Sequence, residues 1–335
     1  MPACSRERRY DIRMKSAVCA KLIFQMSVAA LLFAGTPQQA GARGYKVPAS
    51  LYRVVSAHVL QARYHDAETV LDDYMARHPD DPAGPVLKAA VLQYAATDYE
   101  DYSRDDEFRG LLALGERNAE AMNGDADVWS DYWRASADGL SGAWDAASGK
   151  LLQGVIRGRS AAKDMEKILE RDPDFYDAFL LVGSYRFWRG VALRGVSWLP
   201  FVTVEIEESI AMVETALSKG LLTGPVGWSV LLEMLLENDP DRAARESAEL
   251  LKRYPRCRLF AWQAGEAYKK LGRFGDAERV FTGLAGKMDA DPRDDGSGAL
   301  RAWWKLAVCA KSLGKREKAV YYSNKVLERG ERPAV

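Results

Sequence analysis

Apolar and polar positions along this chain alternate at helical spacing, and small residues return at a fixed long interval. Ser209, Ala243 and Ala277 stand 34 residues apart, and each opens the same short helical pattern. Around Ala277 the frame is dense: Gly265, Tyr268, Gly272, Phe274 and Phe281 take positions 8, 11, 15, 17 and 24, with Ala277 at 20. The copy before it holds Ala243, Leu250 and Pro255 at positions 20, 27 and 32. The copy after it holds Trp303, Leu306, Ala307, Gly314 and Ala319 at positions 4, 7, 8, 15 and 20. Near the amino terminus Tyr64, Ala67, Leu71, Tyr74 and Pro79 fall at 17, 20, 24, 27 and 32. Ala161, Met165, Ile168 and Pro173 repeat the second half of the unit, and Phe179, Val182 and Gly183 open the next. Each unit is predicted to be a pair of helices, and each small residue lets two helices cross closely where a larger side chain would hold them apart.

The period breaks in defined places. Ala277 to Ala319 is 42 residues, so eight extra residues lie between those copies, within Met288 to Gly298, where Pro292 and Asp294-Asp295-Gly296 form turns. From Asp98 to Asp127 the frame is hard to phase, and acidic loops at Asp98–Asp101 and Gly124–Asp127 bracket one predicted helix near Phe108 to Met122. Ala161 to Ser209 is 48 residues, and the excess is Arg189 to Val202. That apolar insertion contains Gly190, Gly195 and Pro200, so one uninterrupted helix is not expected through it.

A 34-residue helix pair with this pattern resembles the tetratricopeptide repeat. The resemblance implies an all-α fold, a right-handed α-solenoid of about six or seven tetratricopeptide-like helix pairs. The order Trp144, Asp172-Pro173, Asp177-Ala178, Gly183-Ser184-Tyr185, Leu199-Pro200-Phe201 and Tyr254-Pro255 is similar to a group of exported bacterial tetratricopeptide-repeat proteins of unassigned activity, over roughly residues 130 to 285. A second resemblance is to the T-component of TRAP-type transporters, which implies a helical periplasmic receptor for a small hydrophobic ligand. Those proteins are commonly lipid-anchored, and here no cysteine follows the apolar run near the amino terminus.

That run, Leu22 to Ala34, follows Arg6, Arg8, Arg9, Arg13, Lys15 and Lys21 and precedes Ala40-Gly41-Ala42. It has the layout of an export signal, and its 13 residues fall short of the roughly 20 that span a bilayer as a helix. The expected organisation is a signal peptide at 1–42, an amino-terminal repeat at 43–103, irregular helical repeats with the apolar insertion at 104–203, and carboxyl-terminal repeats at 204–335. Translation starts at Met1 or at Met14. The expected location is periplasmic or secreted, with no transmembrane segment after signal cleavage.

Charge narrows the partners. The 335 residues carry 47 basic and 47 acidic side chains, so no field draws in nucleic acid. Loss of residues 1–42 removes six basic and two acidic residues and leaves a net charge of −4. The two cysteines that remain, Cys257 and Cys309, sit about ten positions out of register in their repeats. That is about 15 Å along a helix, beyond the reach of a disulfide, so buried free thiols are expected.

Reactive clusters are scarce, and no enzyme, metal site or cofactor is expected. His58, His65 and His78 lie in the first repeat with a turn predicted between the first two. Gly154 to Ser160 reads GVIRGRS, with three residues rather than four between its glycines and Arg159 in place of lysine, so it is not a phosphate loop. Asp289 to Gly296 fails as a calcium loop, because Arg293 and Ala302 stand at ligand positions counted from Asp291.

The candidate binding residues are aromatic. Trp228, Trp262 and Trp304 all fall at position 5 of successive first helices, a position that points into the concave groove of such arrays. Their indoles either line that groove as a ladder for a protein or peptide within an envelope complex, or wedge between repeats as core. Lys269 and Lys311, both at position 12, would add positive charge beside the ladder. Trp188, Trp198 and Phe201 mark the insertion, which plugs a gap between repeats or forms a second contact surface.

Overall fold

A computed structural model describes residue 45 and residues 48–122, 128–194, 205–291, 293 and 297–330. The signal-like segment 1–42, Trp198 and Phe201 lie outside the described residues. Fourteen helices and no strands are found among the described residues. They are α1 (Ala49–Val59), α2 (Tyr64–Arg77), α3 (Ala83–Tyr99), α4 (Asp105–Glu120), α5 (Val128–Ala147), α6 (Leu151–Arg171), α7 (Tyr176–Leu193), α8 (Ile206–Lys219), α9 (Gly224–Asn238), α10 (Pro240–Arg253), α11 (Arg258–Lys270), α12 (Phe274–Asp289), α13 (Ser297–Ser312) and α14 (Arg316–Gly330). Successive helices stack as antiparallel pairs, the all-α fold class of the right-handed tetratricopeptide-like solenoid.

Local chemistry sets the boundaries. Asp239 caps α10 by accepting the Arg242 N–H at 2.9 Å, with Pro240 at the first helical position. Frame position 15 is the turn between the two helices of a pair. Gly272 and Gly314 take it with φ of +71° and +69°, and the amide three residues past the helix end returns to its last turn, Arg273 to Tyr268 and Lys315 to Ala310. The first copy makes the same turn with Ala62 at φ +54°, and Arg63 donates to His58. That turn separates His58 from His65. α7 continues through Arg189–Leu193, so the insertion begins as helix.

The chain divides into two compact units. Among the described residues, the first comprises those of 45–56, His65–Gln93 and Arg104–Val230, and the second Ala57–Tyr64, Tyr94–Ser103 and those of 231–330. Helices α1, α2, α3 and α9 contribute to both.

In the first unit α5 and α6 meet at backbone distance. A Cβ on Gly154 would stand 2.7 Å from the Gly142 carbonyl oxygen, and one on Gly142 would stand 3.0 Å from the Gly158 nitrogen. The glycines of the phosphate-loop look-alike are therefore a helix-packing seam. Gly183, at position 8, touches the backbone of Ser209, the position-20 residue of the following helix, which is why the frame keeps both small.

Asp177 organises the turn from α8 to α9. Its buried carboxylate accepts from the Leu222 N–H at 2.7 Å, the Leu221 N–H at 2.9 Å and the Thr223 hydroxyl at 3.0 Å. Burial pushes its pKa up to about 6, against these three hydrogen bonds. A carboxyl group raised on folding favours the folded state below its unfolded pKa and loses that contribution as pH rises through the folded value. Relative to Asp177→Asn, the wild type should therefore lose stability between about pH 4 and pH 6, by up to about 3 kcal/mol. Urea titrations of both proteins across that range test the sign. A gain in relative stability with rising pH would mean that the hydrogen bonds outweigh burial.

The second unit has an apolar core made by α11, α12 and α13, where Trp262, Phe281, Leu284, Met288, Trp303 and Leu306 pack together. Cys257 and Cys309 are buried free thiols, and burial pushes Cys257 up to about 12.

Candidate partner-binding face

The first helices of the second unit carry a polar ladder from repeat to repeat. Gln263 on α11 donates to Glu233 on α9 at 3.3 Å, and Lys305 on α13 reaches Glu266 on α11 at 2.6 Å. Gln263 and Lys305 both hold frame position 6, so the ladder follows the period. Glu266 also pairs with Lys269 at 2.6 Å. Of the lysines predicted to flank the tryptophans, Lys269 is thus engaged and half-buried, whereas Lys311 is exposed.

The three position-5 tryptophans have different surroundings. Trp262 is 6% exposed, tilts against Phe281 at 5.8 Å, and is covered by the Arg301 guanidinium 4.2 Å from its ring. Arg301 also pairs with Glu100 at 3.0 Å. Trp304 is half-buried, with the Lys305 ammonium 4.6 Å from its ring centre. Trp228 is half-buried at the start of α9 and belongs to the first unit. Only Trp262 and Trp304 therefore share a unit. Trp188 is 3% exposed on α7, edge-on to Phe187 at 5.0 Å.

Beside this face sits a buried ionic centre with no counterpart in the repeat frame. Arg258, the first residue of α11, bonds Asp98 at 2.6 Å and Asp291 at 3.0 Å, and its guanidinium lies 4.8 Å from the Tyr99 ring centre. Tyr64 donates to Asp98 at 2.8 Å, Tyr99 donates to Asp291 at 2.8 Å, and Arg293 donates to the Ala62 carbonyl at 3.3 Å. Although burial opposes it, hydrogen bonds from the Arg293 backbone, Tyr99, the Arg293 side chain and Arg258 hold Asp291 down at about 2. Asp98, expected in an acidic loop, lies instead in the last turn of α3, and it and the acidic segment after α12 both supply ligands to one guanidinium. The residue that resembled a calcium ligand is an arginine partner.

The family model for the tetratricopeptide repeat matches residues 301–329. Those residues are most of α13 and α14. No curated protein matches the chain. Among the described residues no group of three or more histidine, cysteine, aspartate or glutamate side chains is placed to hold a metal ion, and no helix is long and apolar enough to cross a membrane.

Proposed function

We propose that this chain is an exported helical-repeat scaffold that binds a protein or peptide on the first-helix face of its second unit, rather than transforming a substrate. The reading rests on Trp304. It is a half-buried indole, already flanked by Lys305, with exposed Lys311 seven residues on along the same helix face. A half-buried indole with an exposed lysine two turns along the same helix face suits an apolar side chain next to a carboxylate. Trp262 supports this face from behind, because Arg301 closes over its ring. Export is supported by the basic, apolar and Ala-Gly-Ala segments at residues 6–42.

Selection from a displayed peptide library against the purified chain tests the reading. Selected peptides should bind Trp304→Ala about 30-fold more weakly, the loss of a central aromatic anchor of about 2 kcal/mol. They should also lose affinity for Lys311→Glu, whose exposed site leaves melting unchanged. Binders indifferent to both changes, or no binders, would overturn it. The intact mass of the chain recovered from its native cells should lack residues 1–42. A mass that retains them would refute export.

A further inference from the structure

The repeat frame identifies a stacking surface on α14. On α12, Glu278 and Ala285 are 8% and 5% exposed, because the following pair covers them. Lys315 and Lys318 reach Glu278 at 2.6 and 3.2 Å, and Ala285 belongs to the core shared with α13. The equivalent residues one copy on are Val320 and Leu327. Both are apolar, and they are 53% and 60% exposed. Val320 and Leu327 stand seven apart on one face of α14. Tyr321 lies on the flank of that face at 55% exposure, with the Lys325 ammonium 5.5 Å from its ring centre. Exposed Glu317 and Glu328 lie on the same flank as Tyr321, and Arg316 lies on the other.

A second exposed apolar pair lies on α6. Leu152 and Ile156 are 69% and 60% exposed, more than most large apolar side chains among the described residues. One turn further along the same face stand exposed Arg159 and Lys163. Glu166, which follows, is engaged by Arg186 at 2.7 Å.

We propose that these two faces are complementary halves of one contact, so that α14 of one copy of this chain docks on α6 of a second copy. Each supplies two aliphatic side chains within two helical turns. The acidic flank of α14 meets the basic turn of α6, whereas pairing α14 with itself antiparallel would set Glu317 against Glu328. The contact is heterologous, so each copy retains one unused face and association continues head to tail. Two single helix faces bury less than a standard interface, which places association at micromolar concentrations and above.

Sedimentation of the chain as purified from cells, from about 1 to about 300 µM, should show the mass rising beyond one chain. Arg159→Glu with Lys163→Glu should abolish the rise, as should Glu317→Lys with Glu328→Lys, each with unchanged melting. The deciding measurement mixes the two variants at high concentration. One retains an intact α14 face and the other an intact α6 face, so a defined heterodimer should form although neither associates alone. All four changes in one chain should restore self-association. A chain that stays monomeric throughout, association insensitive to the reversals, or a mixture that stays monomeric would overturn the proposal.

Discussion

Arg258→Ala should destabilise the protein by about 3–5 kcal/mol and lower its melting temperature by roughly 10 °C. Arg258 is 3% exposed and the side chain of Asp98 is fully buried, so the mutant would leave a carboxylate in the interior without the guanidinium that neutralises it. A second carboxylate, Asp291, loses the same partner, and Tyr99 loses the cation over its ring. Arg258→Lys should recover less than half of the loss. An ammonium is a point charge on a flexible stem and does not reproduce the planar fork that reaches Asp98 and Asp291 at once. Hydrogen exchange supplies the specific readout. Amides in residues 94–103 and 289–293 should lose protection in Arg258→Ala before those of α5 and α6 do. Uniform loss of protection, or a melting shift of only 1–2 °C, would mean that Arg258 is not a keystone of the second unit.

The contrast between the repeat frame and this centre shows what was legible in the sequence. Small residues at positions 8 and 20 report on helix crossings within about 30 residues of each other, and such contacts recur in every copy, so the period carries them. Gly265 against Phe281 and Gly183 against Ser209 are examples. Glycine at position 15 reports a positive φ, which is a local property. Arg258 has partners 33 and 160 residues away, in two segments where the period fails. A single non-periodic ion pair leaves no trace in spacing. The unphased stretch near Asp98 and the eight-residue excess near Asp291 were nonetheless visible as interruptions, and both interruptions turn out to bond the same side chain.

The tryptophan row was legible in position but not in burial. Position 5 fixes the side of the helix from which the indole projects. What covers the indole depends on position 2 of the next copy, here Arg301 over Trp262. Trp304, with no described copy after it, is half-buried, and so is Trp228, whose next copy has Leu259 at position 2 in place of an arginine. The same logic applies to Glu278 and Val320, which share a frame position and differ in whether a described pair follows.

Gly154→Ala should be destabilising by about 2–3 kcal/mol even though alanine is the better helix former. Within an open helix the change gains about 1 kcal/mol, because glycine loses more backbone freedom on folding. At Gly154 the new methyl carbon would lie 2.7 Å from the Gly142 carbonyl oxygen, 2.8 Å from the Ala146 Cβ and 3.0 Å from the Ala146 nitrogen. Two of these three are backbone atoms of α5, so no rotamer change relieves them. Relief requires α5 and α6 to separate by several tenths of an ångström along a seam that also holds Gly142 and Gly158, which loosens every contact between the two helices. Gly110→Ala on α4 is the matched control, since a Cβ there meets nothing within 4 Å. It should stabilise by about 0.5–1 kcal/mol. Urea denaturation of the two variants at one pH should therefore move the midpoint in opposite directions. If Gly154→Ala also raised it, α5 and α6 would not be in backbone contact, and the glycines of residues 154–158 would need another explanation.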